Sequence, residues 1–176
     1  MKRFKESFSD FLLCFKVKKY KVEIDKDGDV FRILSAGFNA IEHKHGFFIF
    51  SFEKYKFIGK ERGIYVVKVT DEIYNNIEIK CFDIHGKKES ADSLLNYLKN
   101  IKGDALLFFG IKDEATLNWN KELDDLFKKM GAKFSLIDKY RYSYIFVTRK
   151  KDEKFISLFE KLSPDKIIFS QIKVKL

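Results

Sequence analysis

Apolar positions recur along this chain with two periods, and the change from one to the other marks out the elements. Ile77, Ile79 and Cys81 alternate with Glu78, Lys80 and Phe82, the pattern of a half-buried strand. Phe47 to Phe52, Ile64 to Thr70 and Ala105 to Ile111 are more continuously apolar and predict buried strands. Tyr20 to Ile24 and Val30 to Leu34 flank Asp25-Lys26-Asp27-Gly28-Asp29, a hairpin signal. Phe134 to Ile137, Tyr144 to Thr148 and Ile167 to Val174 add three more β-prone runs.

Between these runs the spacing lengthens to that of helices. Ser90 precedes Leu94, Leu95, Leu98 and Ile101, and Gly103 follows, which predicts a helix capped by the serine and stopped by the glycine. From Asn120 to Met130, Leu123, Leu126, Phe127 and Met130 fall on one stripe, and Gly131 ends it. Phe155, Leu158, Phe159 and Leu162 predict a third helix before Ser163-Pro164. At the N-terminus Phe4, Phe8, Phe11, Leu12 and Phe15 share a helical face beside Lys2, Arg3, Lys5, Lys16, Lys18 and Lys19. That segment reads either as an interfacial membrane or partner-docking helix, or as a helix laying its Phe face on the domain. Strands and three or four short helices without strict alternation predict an α+β fold. With no internal repeat or linker, the expected organisation is a basic amphipathic segment, 1–19, followed by one domain, 20–176.

Composition supports a single packed domain. Of 176 residues 45% are hydrophobic and only one is proline, enough for a core and too little for a disordered linker. The net charge of +9 suggests nucleic acid until its distribution is considered. Residues 1–21 carry +5 and residues 149–176 carry +4, so the centre is neutral. A nucleic-acid face concentrates its basic groups, so binding to nucleic acid is not expected. The basic segment 1–21 instead suits peripheral contact with a membrane or an acidic partner.

Cys14 and Cys81 are too few for a disulfide framework or a thiolate metal site, and are expected to be reduced. The Asp25–Asp29 loop has Ala36 where a calcium loop needs its bidentate glutamate. His43 and His45 beside Glu42 read as a solvent-facing pair rather than metal ligands. Lys5, Glu6, Ser7, Ser9 and Asp10 interrupt any apolar core of a signal peptide, so the expected location is the cytoplasm, with peripheral membrane contact as an option. Hydrolase elbows, phosphate loops and zinc-protease motifs are missing. Asp113 with Glu114 or Asp83 has the residue types of a glycosidase pair, but adjacent carboxylates rarely flank a bond in that geometry. No enzyme, metal or cofactor is expected.

Asp113 and Glu114 close the apolar run from Ala105, a rigid position facing solvent. Around them an ordered set of pieces stands out. Arg62-Gly63-Ile64-Tyr65-Val66-Val67 is followed by Phe82-Asp83 with Gly86 nearby, then by Leu94-Leu95-Asn96-Tyr97-Leu98. Gly103-Asp104-Ala105-Leu106-Leu107, Lys112-Asp113-Glu114-Ala115, Leu126 and Met130-Gly131 come next, and Tyr140-Arg141-Tyr142-Ser143-Tyr144-Ile145-Phe146-Val147 completes the set. In order and spacing these pieces resemble the interleukin-like EMT inducer family, the GG or PANDER-like domain, with Gly63 and Gly131 as its two glycines. The resemblance spans residues 62–150 best, leaving 152–176 as a helix–strand extension.

The resemblance implies two antiparallel sheets packed as a sandwich and flanked by short helices. In the stem of the protein O-mannose N-acetylglucosaminyltransferase, a domain of this family, two arginines and an aspartate hold a glycan. Residue by residue these correspond to Arg62, Asp113 and Arg141. A carboxylate accepts paired hydroxyl hydrogen bonds and guanidinium donates a fixed fork of them, so the residue types suit a sugar. Glu114, Trp119, Tyr140 and Tyr142 are expected in support, the aromatics as platforms for a sugar face. The same trio also reads as a structural ion-pair network. Disulfides and a signal peptide, used by secreted members, are not found, and Tyr140 and Tyr144 replace family tryptophans. The expectation is a lectin-like, non-catalytic carbohydrate-binding domain whose partners are a glycan and a protein of a glycan-modifying system. The alternative is an interaction or membrane-surface adaptor acting through residues 1–21.

Overall fold

The computed structural model describes residues 29–40, 46–70 and 76–174. In chain order these form β1 (Asp29–Gly37), a single 3-10 turn (Phe38–Ala40), β2 (Phe47–Phe52), β3 (Tyr55–Ile58), β4 (Gly63–Val69) and β5 (Ile77–Phe82). Then come α1 (Glu89–Lys99), β6 (Ala105–Asp113), α2 (Lys121–Lys129), β7 (Ser143–Lys151), β8 (Lys154–Ser163) and β9 (Ile168–Val174). The N-terminal amphipathic segment, the Tyr20–Ile24 strand, Cys14 and the His43/His45 pair lie outside the described residues.

The fold is α+β and rich in strand. Hydrogen bonds run in the order β3-β2-β1-β6-β4-β5, with β7 beside β6, β8 beside β7 and β9 beside β1. Among the described residues all pairings are antiparallel except one: β1 meets β6 in parallel through just two pairs, Ala36 with Lys112 and Gly37 with Asp113. That junction links all nine described strands into one hydrogen-bonded sheet, where two separate sheets were expected. β7 pairs with β6 from Ala105 to Gly110, and β1 takes over at Lys112. The change of neighbour falls at the Asp113 end of β6.

Period-2 alternation explains how the core is divided. Ile64, Val66, Phe109, Ile111 and Phe146 face α1 and α2, where Leu94, Leu98, Leu123 and Phe127 meet them. Tyr65, Val67, Phe108, Ile145 and Val147 point the other way and pack with Phe31, Ile33, Phe48 and Phe50. Strands β4, β6 and β7 are therefore covered on both faces, which is why their sequences read as nearly unbroken apolar runs. The second face is dominated by aromatic contacts, with Phe48 stacked on Tyr65 at 4.6 Å and Phe31 on Phe52 at 4.4 Å.

Local signals set the end of each helix. Asn120 caps α2 by accepting from Leu123 N at 2.9 Å. At the other end Gly131, with φ +94°, allows Gly131 N to donate to Lys128 O and Ala132 N to Phe127 O, a Schellman ending. Ser90 is not the cap expected of it: α1 begins at Glu89, and its first turn has no side-chain cap.

Three further expectations change. The described residues contain two α-helices and one 3-10 turn rather than three or four helices. Residues 155–162 are strand β8, not a helix, so the C-terminal extension is strand–strand. Its register with β7 slips between Val147 and Thr148: Thr148 faces Ser157 and Val147 faces Phe159, leaving Leu158 unpaired. The bulge changes side-chain parity, so Phe155 and Leu162 both pack toward the helices and Phe159 toward the other face. A two-residue alternation broken in this way copies helical spacing. Phe134 to Ile137 is a loop, because Glu160 and Asp124 accept its backbone N–H groups in place of a neighbouring strand.

Candidate functional site

Strand directions bring the named residues to one end of the sheet. β4 and β7 start where β1 and β6 finish, because β6 is antiparallel to β4 and β7 and parallel to β1. Arg62 immediately precedes β4, Asp113 ends β6, and Arg141 lies two residues ahead of β7. Residues separated by nearly eighty positions thereby share one rim.

Two buried hydroxyls tie that rim together. Ser35 Oγ donates to Ile111 O at 2.5 Å and accepts from Tyr144 N at 3.3 Å. Ser143 Oγ accepts from Gly37 N at 2.9 Å. The backbones approach so closely that a Cβ on Gly37 would stand 2.3 Å from Arg141 O, and one on Gly46 2.4 Å from Asp113 N. Only glycine fits either place.

Arg62 is held by a carboxylate at the end of the next strand. Its Nε donates to Asp83 Oδ1 at 3.1 Å and its Nη2 to Asp83 Oδ2 at 3.0 Å, a two-point pairing across the β4–β5 ladder. Gly86 N adds a third bond to Asp83 Oδ1 at 2.9 Å. Burial alone would raise the Asp83 carboxyl, but the bonds from Arg62 and Gly86 outweigh it and hold the group below its ordinary value. The Arg62 guanidinium is raised, chiefly by the Asp83 hydrogen bond and further by the charges of Asp113 and Glu114. The carboxylate bonded to Arg62 is therefore Asp83, while Asp113 and Glu114 act on it through space.

Asp113 and Arg141 both have left-handed backbones, with φ of 63° and 64°. Aspartate tolerates this region and arginine does so at a cost of roughly 1 kcal/mol. Glu114 supplies the compensation at Arg141. Its buried carboxylate accepts from Arg141 N through one oxygen and from Thr116 N and Thr116 Oγ1 through the other. Glu114 thus holds the loop that carries Arg141 and does not face solvent. The Arg141 guanidinium carbon lies 4.2 Å from the Phe38 ring centre and 4.7 Å from that of Tyr140, an aromatic bracket.

The expected aromatics divide. Tyr140 is 41% exposed and its ring stands 6.0 Å from His85. Tyr142 is half-buried, with Lys139 over its ring. Trp119 is buried, edge-on to Phe127 at 4.9 Å, so it packs the helix-side core rather than offering a platform. The sequence pattern alone did not place Asp83, Phe38, His85 and Asn118 together at this end. Asn118 Nδ2 donates to Ile84 O and His85 O, which fixes the turn bearing His85, and the His85 Nδ1 is buried without a hydrogen-bond partner. The Phe82-Asp83…Gly86 spacing was the available signal.

The arrangement has forked donors, a carboxylate and an exposed ring on one rigid rim, the components of a polar recognition surface on a strand-rich α+β domain. The interleukin-like EMT inducer family model matches residues 62–153, from the first rim arginine to the β7–β8 turn. The chain belongs to that family. A search of curated proteins returned no match.

Proposed function

We propose that this chain is a non-catalytic carbohydrate-binding domain whose ligand lies across the rim formed by Arg62, Asp113 and Arg141. The observation that supports this reading is the meeting of these three residues at the joint of β1, β4, β6 and β7. Asp83 uses one edge of the Arg62 guanidinium, and the remaining N–H groups suit sugar hydroxyl or amide oxygens. Asp113 accepts hydroxyl protons, Arg141 donates from its aromatic bracket, and the exposed Tyr140 ring supports an apolar sugar face. Glu114 positions the Arg141 loop rather than touching sugar. The domain serves as an accessory to a protein that builds or modifies glycans.

A glycan array followed by calorimetry on the wild type and Arg141→Ala tests the proposal. The variant is expected to bind at least tenfold more weakly, about 1.4 kcal/mol. Equal affinity in the variant, or no sugar retained by the wild type, refutes it.

A further inference from the structure

A groove of about 550 Å³ lies between the β4–β5 ladder and α1. Lys68 is six residues beyond Arg62, roughly 20 Å along an extended strand, so the lysine end of the groove is well away from the sugar rim. Lys68, Lys80 and Lys102 line it, with Asn96, Asn100 and the Tyr97 ring between them.

The charges are unequal. Lys68 and Lys80 both pair with one carboxylate, Glu78, which their hydrogen bonds hold below its ordinary range. Lys102 is exposed and adds a third ammonium. Three lysines thus line the concave surface, while the one carboxylate paired with two of them, Glu78, does not. Lys80 Nζ sits 4.3 Å from the Tyr97 ring centre and Lys68 Nζ 5.9 Å, so the ring gathers both cations on the same side of the groove. The Tyr97 hydroxyl is buried and makes no hydrogen bond. Burial first and the Glu78 charge second push it above its ordinary value.

We propose that this groove is a second binding site, for a phosphate or sulfate ester. A tetrahedral oxyanion offers separate acceptor oxygens, matching ammonium groups that arrive from different elements, two from strands and one from beyond α1. Its charge offsets the surplus that Glu78 leaves; the Asn96 amide faces the ester's hydroxyls, and Asn100, whose Nδ2 donates to Asn96 O at 2.8 Å, offers its Oδ1. Phe82 and Ile101 supply apolar wall for the group that carries the ester.

Titration of the full chain with inorganic phosphate, sulfate, glucose 6-phosphate, glucose 6-sulfate and glucose tests this, read by calorimetry and amide NMR. Saturable binding of the anions, with shifts at Ser93, Tyr97 and Asn100 and none of these with glucose, is expected. The phosphate and sulfate arms show which ester is preferred. A Lys80→Ala/Lys102→Ala double variant should lose at least tenfold in affinity, and Lys80→Arg should retain most of it. Circular dichroism verifies that the double variant is folded. Absence of saturable anion binding, or wild-type affinity in the folded double variant, overturns the proposal independently of the sugar rim.

Discussion

Replacing Glu114 by alanine should destabilise the domain far more than a typical loop substitution. Its carboxylate is 2% exposed and accepts at both oxygens: Thr116 N and Oγ1 on one, Arg141 N on the other. Alanine leaves the N–H of buried Thr116 and of half-buried Arg141 without this acceptor. A buried orphan costs about 1–3 kcal/mol, and water partly replaces the bond at Arg141. The left-handed strain at Arg141, roughly 1 kcal/mol, is carried by the wild type as well and does not enter the difference. Relief from burying a carboxylate offsets part of the sum, for a net loss of about 1–2 kcal/mol. In a chain of this size that corresponds to a fall of about 3–6 °C in Tm. Glu114→Gln should lose roughly half as much, because its amide must set an NH2 against one of two backbone donors. Urea denaturation with an unchanged m-value provides the measurement. A loss under about 0.5 kcal/mol for Glu114→Ala would refute the assignment of Glu114 as the support of the Arg141 loop.

Two further outcomes follow from the same rim. Gly63→Ala should cost at least about 3 kcal/mol or prevent folding, since φ is +138° and a Cβ would stand 2.4 Å from Phe82 O, a backbone atom of the paired strand; a near-wild-type denaturation midpoint would contradict this. The Asp83 carboxyl is depressed in the folded chain, so its contribution is present above its ordinary value near 3.8 and is lost as pH falls through the lower folded value. Asp83→Asn should therefore flatten the acid limb of the stability–pH curve below about pH 4, and an unchanged limb would show that the Arg62 pairing contributes nothing.

Elements were legible where the signal was local and the environment uniform. The apolar runs of β2, β4 and β6, the Asn120 cap and the Gly131 ending were each read near their observed place, because burial on both faces or a single cap leaves its mark in a few adjacent residues. β8 was misread because one unpaired residue, Leu158, reverses side-chain parity halfway along it. Its turn was hidden too: Asp152 and Glu153 adopt φ of 49° and 59° without the glycine that usually advertises such a hairpin. β3 was overlooked, since Tyr55 and Ile58 are exposed and its four residues carry little pattern.

The same distinction applies at the rim. Residue types at Arg62, Asp113, Arg141 and Tyr140, their order and the family they point to were already present in the sequence. Which side chains would touch was not. Register decides that Arg62 pairs with Asp83, because Ile64 lies opposite Phe82 and brings the two strand ends together. The two-residue contact between β1 and β6 decides that Phe38 brackets Arg141, and packing decides that Trp119 belongs to the core. Periodicity, caps and composition are properties of neighbouring residues, so the chain determines them alone. The partner of a polar side chain depends on segments far apart in sequence, and only their packing together selects it.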